Sequence, residues 1–211
     1  MYSIQKPVRI EWEEKRSRFI AHLMPVTHLE AVEKHLASLR LEHPDASHHC
    51  SAYILGPQGA IQKSDDDGEP AQTAGLPMLE VLRKQALTDI LCVVIRYYGG
   101  VKLGAGGLIR AYTKSTALAI KAAILTVPET YLVLSIDASF NVAGKLEGYL
   151  REQTTVTDVR YGTNVTFTIE IIESAYPIVQ AKVRDVSAGT ATLNIEARIT
   201  RYRTKSEAES D

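Results

Sequence analysis

Six consecutive apolar residues, Ile90-Leu91-Cys92-Val93-Val94-Ile95, leave this chain few architectures to choose from. Successive side chains of a strand point to opposite faces, so a run with no polar member predicts a strand buried on both sides. The flanking sequence supplies candidates for the covering layers. Val8, Ile10 and Trp12 alternate with Arg9, Glu11 and Glu13 as in a half-buried strand, and a second strand is expected over Arg18–Pro25. Thr27-His28-Leu29-Glu30 has capping-box spacing, after which Leu29, Val32, Leu36 and Leu39 share one helical face. His43-Pro44-Asp45 ends that helix, because the residue before a proline avoids helical backbone angles. His49–Leu55 reads as a strand, Lys63–Thr73 as a polar loop, and a short helix follows with Pro77 in its first turn. Beyond the apolar run come a glycine-rich segment and an alanine-rich helix over Leu108–Leu125, ending near Val127-Pro128.

The second half carries a complete set of its own. Tyr131–Asp137 is expected as a strand, and Val142, Leu146 and Leu150 space out as a helix. Thr157, Val159 and Tyr161 face one way before a turn at Gly162-Thr163-Asn164; Val165, Phe167, Ile169 and Ile171 then alternate with Thr166, Thr168 and Glu170. Ser174 is placed to cap a helix carrying Val179, Val183 and Val186, which Gly189 terminates. A last strand is expected to bury Ala191, Leu193, Ile195, Ala197 and Ile199. Strand, helix, strand, strand, helix, strand is the order of a ferredoxin-like (βαββαβ) domain. The chain is therefore expected to be α+β, with domains at 1–130 and 131–204 and a polar tail at 205–211.

Charge and cysteine usage narrow the function. A net charge of −1 excludes a uniformly basic nucleic-acid coat but leaves room for a local basic patch. Residues 1–128 hold 15 Lys/Arg against 13 Asp/Glu, residues 129–211 hold 9 against 12, and all six histidines lie in the first 49 residues. The chemistry is thus expected in the first half. Cys50 and Cys92, both in apolar stretches, suggest a reducing compartment, and the lack of a Cys-x-x-Cys pair excludes a zinc knuckle. The first residues have no signal-peptide core and no apolar run reaches bilayer length, so a cytoplasmic address without a membrane partner is expected.

The candidate site lies between the buried run and the alanine-rich helix. In the stretch from Arg96 to Tyr112, Gly99, Gly100, Gly104, Gly106 and Gly107 bring five of the 13 glycines within nine residues. Glycines there allow positive φ and let backbone amides approach a ligand, and a helix N-terminus beside them adds orphan donors. Arg96, Lys102, Arg110 and Lys114 bring positive charge, and Tyr97, Tyr98 and Tyr112 are candidate stacking surfaces. Nucleotide motifs fail: Ala105 stands where a P-loop needs lysine, and Ile109 where a dinucleotide fingerprint needs glycine or alanine. A nucleic-acid backbone or another polyanion fits better. Alternatively, the glycines serve only tight strand-to-helix packing, with the cations solvated.

A second cluster, Ser64-Asp65-Asp66-Asp67-Gly68-Glu69-Pro70, is acidic. Calcium-loop spacing fails, since Pro70 stands where glycine is needed and Leu76 where the bidentate glutamate belongs. A solvated turn is one reading. The other combines His48, His49, Asp66, Asp67 and Glu69 into a metal or acid/base site for hydrolysis. As neighbours on a strand, however, the two histidines would point to opposite faces.

His43-Pro44-Asp45-Ala46, His48-His49-Cys50, Asp66-Asp67-Gly68-Glu69-Pro70, Thr73-Ala74-Gly75 with Pro77-Met78-Leu79, and the whole of Arg96–Tyr112 resemble the YigZ/IMPACT family. The chain departs from the family where members carry glycine before the Thr-Ala-Gly step; here Ala71-Gln72 stands. The resemblance implies a first domain with the left-handed βαβ fold of a ribosomal-protein domain, and two domains together like the last two of elongation factor G. It implies no catalytic residues and no cofactor. It points to RNA or the ribosome as partner, or to a protein partner in translational control, the role of the eukaryotic relatives.

Overall fold

A computed structural model describes residues 1–204; the polar tail expected at 205–211 lies outside them. Two compact units divide the chain: Met1–Val127, with 202–204 among the described residues, and Pro128–Arg201. The fold is α+β with two sheets. No helix among the described residues is long and apolar enough to cross a membrane.

The first unit runs β1 (Ser3–Ile4), β2 (Val8–Glu14), β3 (Ser17–Pro25), α1 (Leu29–Glu42), β4 (His48–Leu55), β5 (Ile61–Asp65), α2 (Gly75–Lys84), β6 (Ile90–Tyr97) and α3 (Ala105–Ala122). Its main sheet has the order β2-β3-β6-β4-β5, with every pair antiparallel. The apolar run is β6, the central strand. Ile90, Cys92 and Val94 face a cluster completed by α2 and α3, while Leu91, Val93 and Ile95 face a second cluster that takes in Val32 and Leu39 of α1. All six side chains are fully buried, each such burial being worth about 1.5–3 kcal/mol for residues of this size. Because β3 and β4 both run antiparallel to β6, they are parallel to each other, and α1 is their crossover.

Several local expectations need correction. Thr27 does not cap α1: the helix begins after His28 with no side-chain cap, and the Thr27 hydroxyl bonds the His28 ring instead. Residues 61–65, expected as partly polar loop, form β5 at the sheet edge. The helix after the glycines starts at Ala105, so Gly106 and Gly107 lie in its first turn, and it ends at Ala122. Pro128 breaks nothing; it sits inside β7 (Leu125–Ala138).

The second unit continues along β7 with α4 (Phe140–Gln153), β8 (Thr155–Tyr161), β9 (Val165–Ile172), α5 (Tyr176–Val186) and β10 (Thr192–Thr204). β7 pairs with β9 and with β10, and β9 pairs with β8. Leu132, Leu134 and Ile136 of β7 meet Phe167, Ile169 and Ile171 of β9, with Leu146, Leu150, Val179 and Val183 from the two helices closing the core. Ser174 lies in a 3-10 turn and caps nothing, whereas Gly189 at φ +76 donates its amide to Arg184 and ends α5 as expected. The inward row of β10 is less buried than its alternation suggests, with Ile195 39% exposed. That strand pairs with β7 alone and lies at the sheet's margin.

Candidate functional site

Seven residues connect β6 to α3, and their glycines fix the path. Gly100 and Gly104 take φ +80 and +73, the left-handed region that favours glycine. Gly99 is required for a different reason: a Cβ there would lie 2.0 Å from the Arg16 carbonyl oxygen. The glycine loop is thereby seated on the β2–β3 turn, whose Lys15 and Arg16 have φ 46 and 64, the positive pair that a two-residue hairpin turn of type I′ needs. Both side chains are exposed. Sequence reading missed them because the contact joins segments more than 80 residues apart.

The expected cations divide. Lys102 and Arg110 are exposed, and neither enters an ion pair among the described residues. Lys114 is exposed as well, its Nζ 4.0 Å from the centre of the Trp12 ring. Arg110, Lys114 and Lys15 line a cleft of about 200 Å³ with Trp12, Leu103 and one carboxylate, Glu14. Arg96 must be withdrawn from the solvent-facing set. It is 5% exposed, donates from Nη1 to Glu69 Oε1 at 2.7 Å and from Nη2 to Ser17 Oγ at 3.2 Å, and so has its charge balanced inside the protein. The tyrosines divide too. Tyr97 bonds His43 on the α1 side and carries Arg18 over its ring, and Tyr112 is fully buried. Only Tyr98, 47% exposed, presents a ring to solvent.

Each acidic-loop carboxylate serves a different structural bond. Asp66 accepts the amides of Gln72, Ala74 and Gly75 at 2.7, 3.0 and 2.8 Å, capping α2 from eight residues upstream. Asp67 accepts from Arg40 at 2.7 Å and from the His49 amide at 2.6 Å. Burial alone would raise its pKa, but Arg40 and the His49 amide outweigh that and hold it below the ordinary carboxylate range. Glu69 accepts from Arg96 and from the Tyr112 hydroxyl at 2.8 Å. Cys50 Sγ lies 3.3 Å from that hydroxyl, and burial pushes both the thiol and the phenol far up, so neither ionises.

His48 and His49 do lie on opposite faces of β4. His48 pairs across the sheet with Arg96 and His49 with Ile95. His48 Nδ1 bonds the Asp67 carbonyl at 2.8 Å, whereas His49 is buried beside Asp67 and Arg40, its pKa lowered by burial first and by Arg40 second. The proposed combination of His48, His49, Asp66, Asp67 and Glu69 is therefore not assembled. Among the described residues no three His, Cys, Asp or Glu side chains are grouped to hold a metal ion.

What the two loops do form is one shared cleft. His48, Gly68, Glu69 and Pro70 from the acidic side meet Arg96, Tyr98, Lys102, Leu103, Gly104 and Ala105 from the glycine side around about 460 Å³. At its floor begins α3, an 18-residue helix whose first-turn amides have no partner within the helix. Gln72 takes φ +61, and its amide donates to Asp66.

Comparison with known proteins covers both units. Residues 15–120 match the Impact N-terminal domain, and residues 136–190 match a domain of unknown function, DUF1949. The IMPACT family member YvyE of Bacillus subtilis is 43% identical over 154 residues, 72% of this chain and 71% of that protein. An IMPACT family member of Haemophilus influenzae is 32% identical over 191 residues, 89% of this chain and 93% of that protein. A crystal structure of a hypothetical protein superposes with a TM-score of 0.61 at 32% identity, over 93% of this chain and 97% of that one.

Proposed function

The chain belongs to the IMPACT family, and from that premise we propose that it is a non-catalytic binding protein that engages RNA on the ribosome, in translational regulation. In this reading the address is cytoplasmic. The first unit is the left-handed βαβ domain of the ribosomal-protein type, and the second, with β10-β7-β9-β8 as neighbours, is ferredoxin-like. The observation that carries the proposal is the set of exposed cations around one glycine loop: Lys15, Arg16, Lys102, Arg110 and Lys114. Glycines at Gly99, Gly100 and Gly104 bring backbone close to that rim, and the first turn of α3, with Gly106 and Gly107, adds amides aimed at an anion. Arg96 and Tyr97 support this surface from within and are not assigned phosphate contacts.

Phosphate contacts release counterions, so three to five of them give a log–log salt slope of about −2 to −4. Lys102→Ala with Arg110→Ala is expected to reduce that slope by about 1 to 2 and to weaken binding uniformly across sequences, while the protein stays folded. RNA affinity that is flat across a salt titration refutes the proposal. Co-sedimentation with ribosomes that survives ribonuclease treatment points instead to a protein partner.

A further inference from the structure

Resting on the RNA reading above, we propose that the shared cleft holds one unstacked nucleotide of a single strand. Its phosphate lies at the start of α3, its base against Tyr98, and a hydrogen-bond donor of the nucleotide sits between His48 and Glu69. At about 460 Å³ the cleft falls in the range of small-ligand sites. Two buried groups at its wall have unfilled hydrogen-bonding capacity.

One of them lacks a donor. The Asp67 carbonyl can only accept, so His48 Nδ1 donates to it. Glu69 Oε2 lies 3.8 Å from His48 Nε2, beyond hydrogen-bond reach. The Glu69 side chain is only 3% exposed, and its other oxygen already takes the bonds from Arg96 and Tyr112. Glu69 Oε2 thus receives no hydrogen bond among the described residues, at the edge of the cleft. An N–H or O–H from a ligand satisfies that oxygen.

A donor beside it lacks an acceptor: Arg96, 5% exposed, borders the cleft, and its buried Nε–H has no hydrogen-bond partner. Lys102 is exposed and forms no ion pair among the described residues, and the first-turn amides of α3 stand beside it. Tyr98 packs against Arg96. Its ring is 47% exposed, and the Arg96 guanidinium carbon lies 5.4 Å from its centre, which holds the ring in place. A phosphate, a flat ring and a hydrogen-bond donor are together the parts of a nucleotide. The donor comes either from an exocyclic base amine or from the ribose 2′-hydroxyl.

The test uses the full chain with labelled oligoadenylate, oligouridylate and oligodeoxyadenylate, read by fluorescence anisotropy at low salt. If a base amine is the donor, both adenylates outbind oligouridylate; if the 2′-hydroxyl is, both RNAs outbind the DNA. Tyr98→Ala, a surface change, is expected to weaken the preferred strand about tenfold with no change in salt slope. His48→Leu is expected to erase the preference among the three. Equal binding of all three strands, unaffected by Tyr98→Ala, overturns the nucleotide site; the RNA reading survives that result if Lys102→Ala with Arg110→Ala still weakens binding. A chain that binds none of them overturns both.

Discussion

Replacing Glu69 with alanine is expected to damage the first unit far more than a typical surface change. The carboxylate stands 2.7 Å from Arg96 Nη1 and 2.8 Å from the Tyr112 hydroxyl, with the Arg96 and Glu69 side chains only 6% and 3% exposed. Without it, Arg96 keeps a buried positive charge whose Nε already lacks a partner, and Tyr112 loses its acceptor in the interior. Breaking one half of a buried ion pair costs about 3–5 kcal/mol. At about 2–4 °C per kcal/mol for a chain of this size, that is a fall in Tm of about 6–20 °C. Pairing Glu69→Leu with Arg96→Met removes both charges and is expected to cost less than Glu69→Ala alone. The assay is urea and thermal unfolding followed by fluorescence of Trp12, the one tryptophan, which stacks on Phe19 at 5.3 Å and so reports this unit. If Glu69→Ala lies within about 1 kcal/mol of the parent, the pair is not shielded from water. Arg96 would then return to the list of groups available to RNA.

Other changes test other parts of the frame. Gly99→Ala places a Cβ 2.0 Å from the Arg16 carbonyl and is expected to cost about 1–3 kcal/mol or more, and to weaken RNA binding as the loop shifts off the hairpin; an unchanged Tm refutes the contact. Gln72→Gly relieves a left-handed residue at φ +61 and is expected to stabilise by up to about 1–2 kcal/mol in a denaturant titration, whereas a loss of stability would mean that the Gln72 side chain contributes more than its strain removes. Burial, with Arg9 and Arg40 respectively, lowers the pKa of His22 and His49 below 6.5. The unfolded chain therefore binds these protons more tightly, and stability is full above 6.5 and falls as pH drops through that value toward the folded ones. A lower urea midpoint in mildly acidic buffer than at neutral pH is expected, and identical midpoints in the parent and in a variant lacking both rings would contradict it.

Periodicity was most legible where one face or both faces are covered. The unbroken run at Ile90–Ile95 announced a central strand, and the alternation of Val165, Phe167, Ile169 and Ile171 announced β9, because burial leaves no room for polar side chains there. β5 left no such trace. Its residues Ile61–Asp65 are mostly exposed at a sheet edge, held by backbone bonds to β4 that any side chain permits. β10 misled in the opposite direction, its apolar alternation being stronger than the cover it receives. At the site, sequence distance was the obstacle. Nothing near Arg96 in the chain reveals Glu69 as its partner, and nothing near Gly99 reveals the Lys15-Arg16 turn. The acidic loop read as solvated or catalytic because capping of α2 by Asp66 depends on a chain reversal that composition does not encode.

That cap also shapes the field that an anion would meet at this face. Two helices begin on this side of the sheet, each with a partial positive pole. Asp66 discharges the pole of α2, so only the pole of α3 stays attractive. If the proposed strand binds this face, it meets a single electrostatic landmark instead of two competing ones, which would fix its register before any base is read. Neutralising Asp66 would give the surface a rival docking point and scramble that register without altering one of the cations.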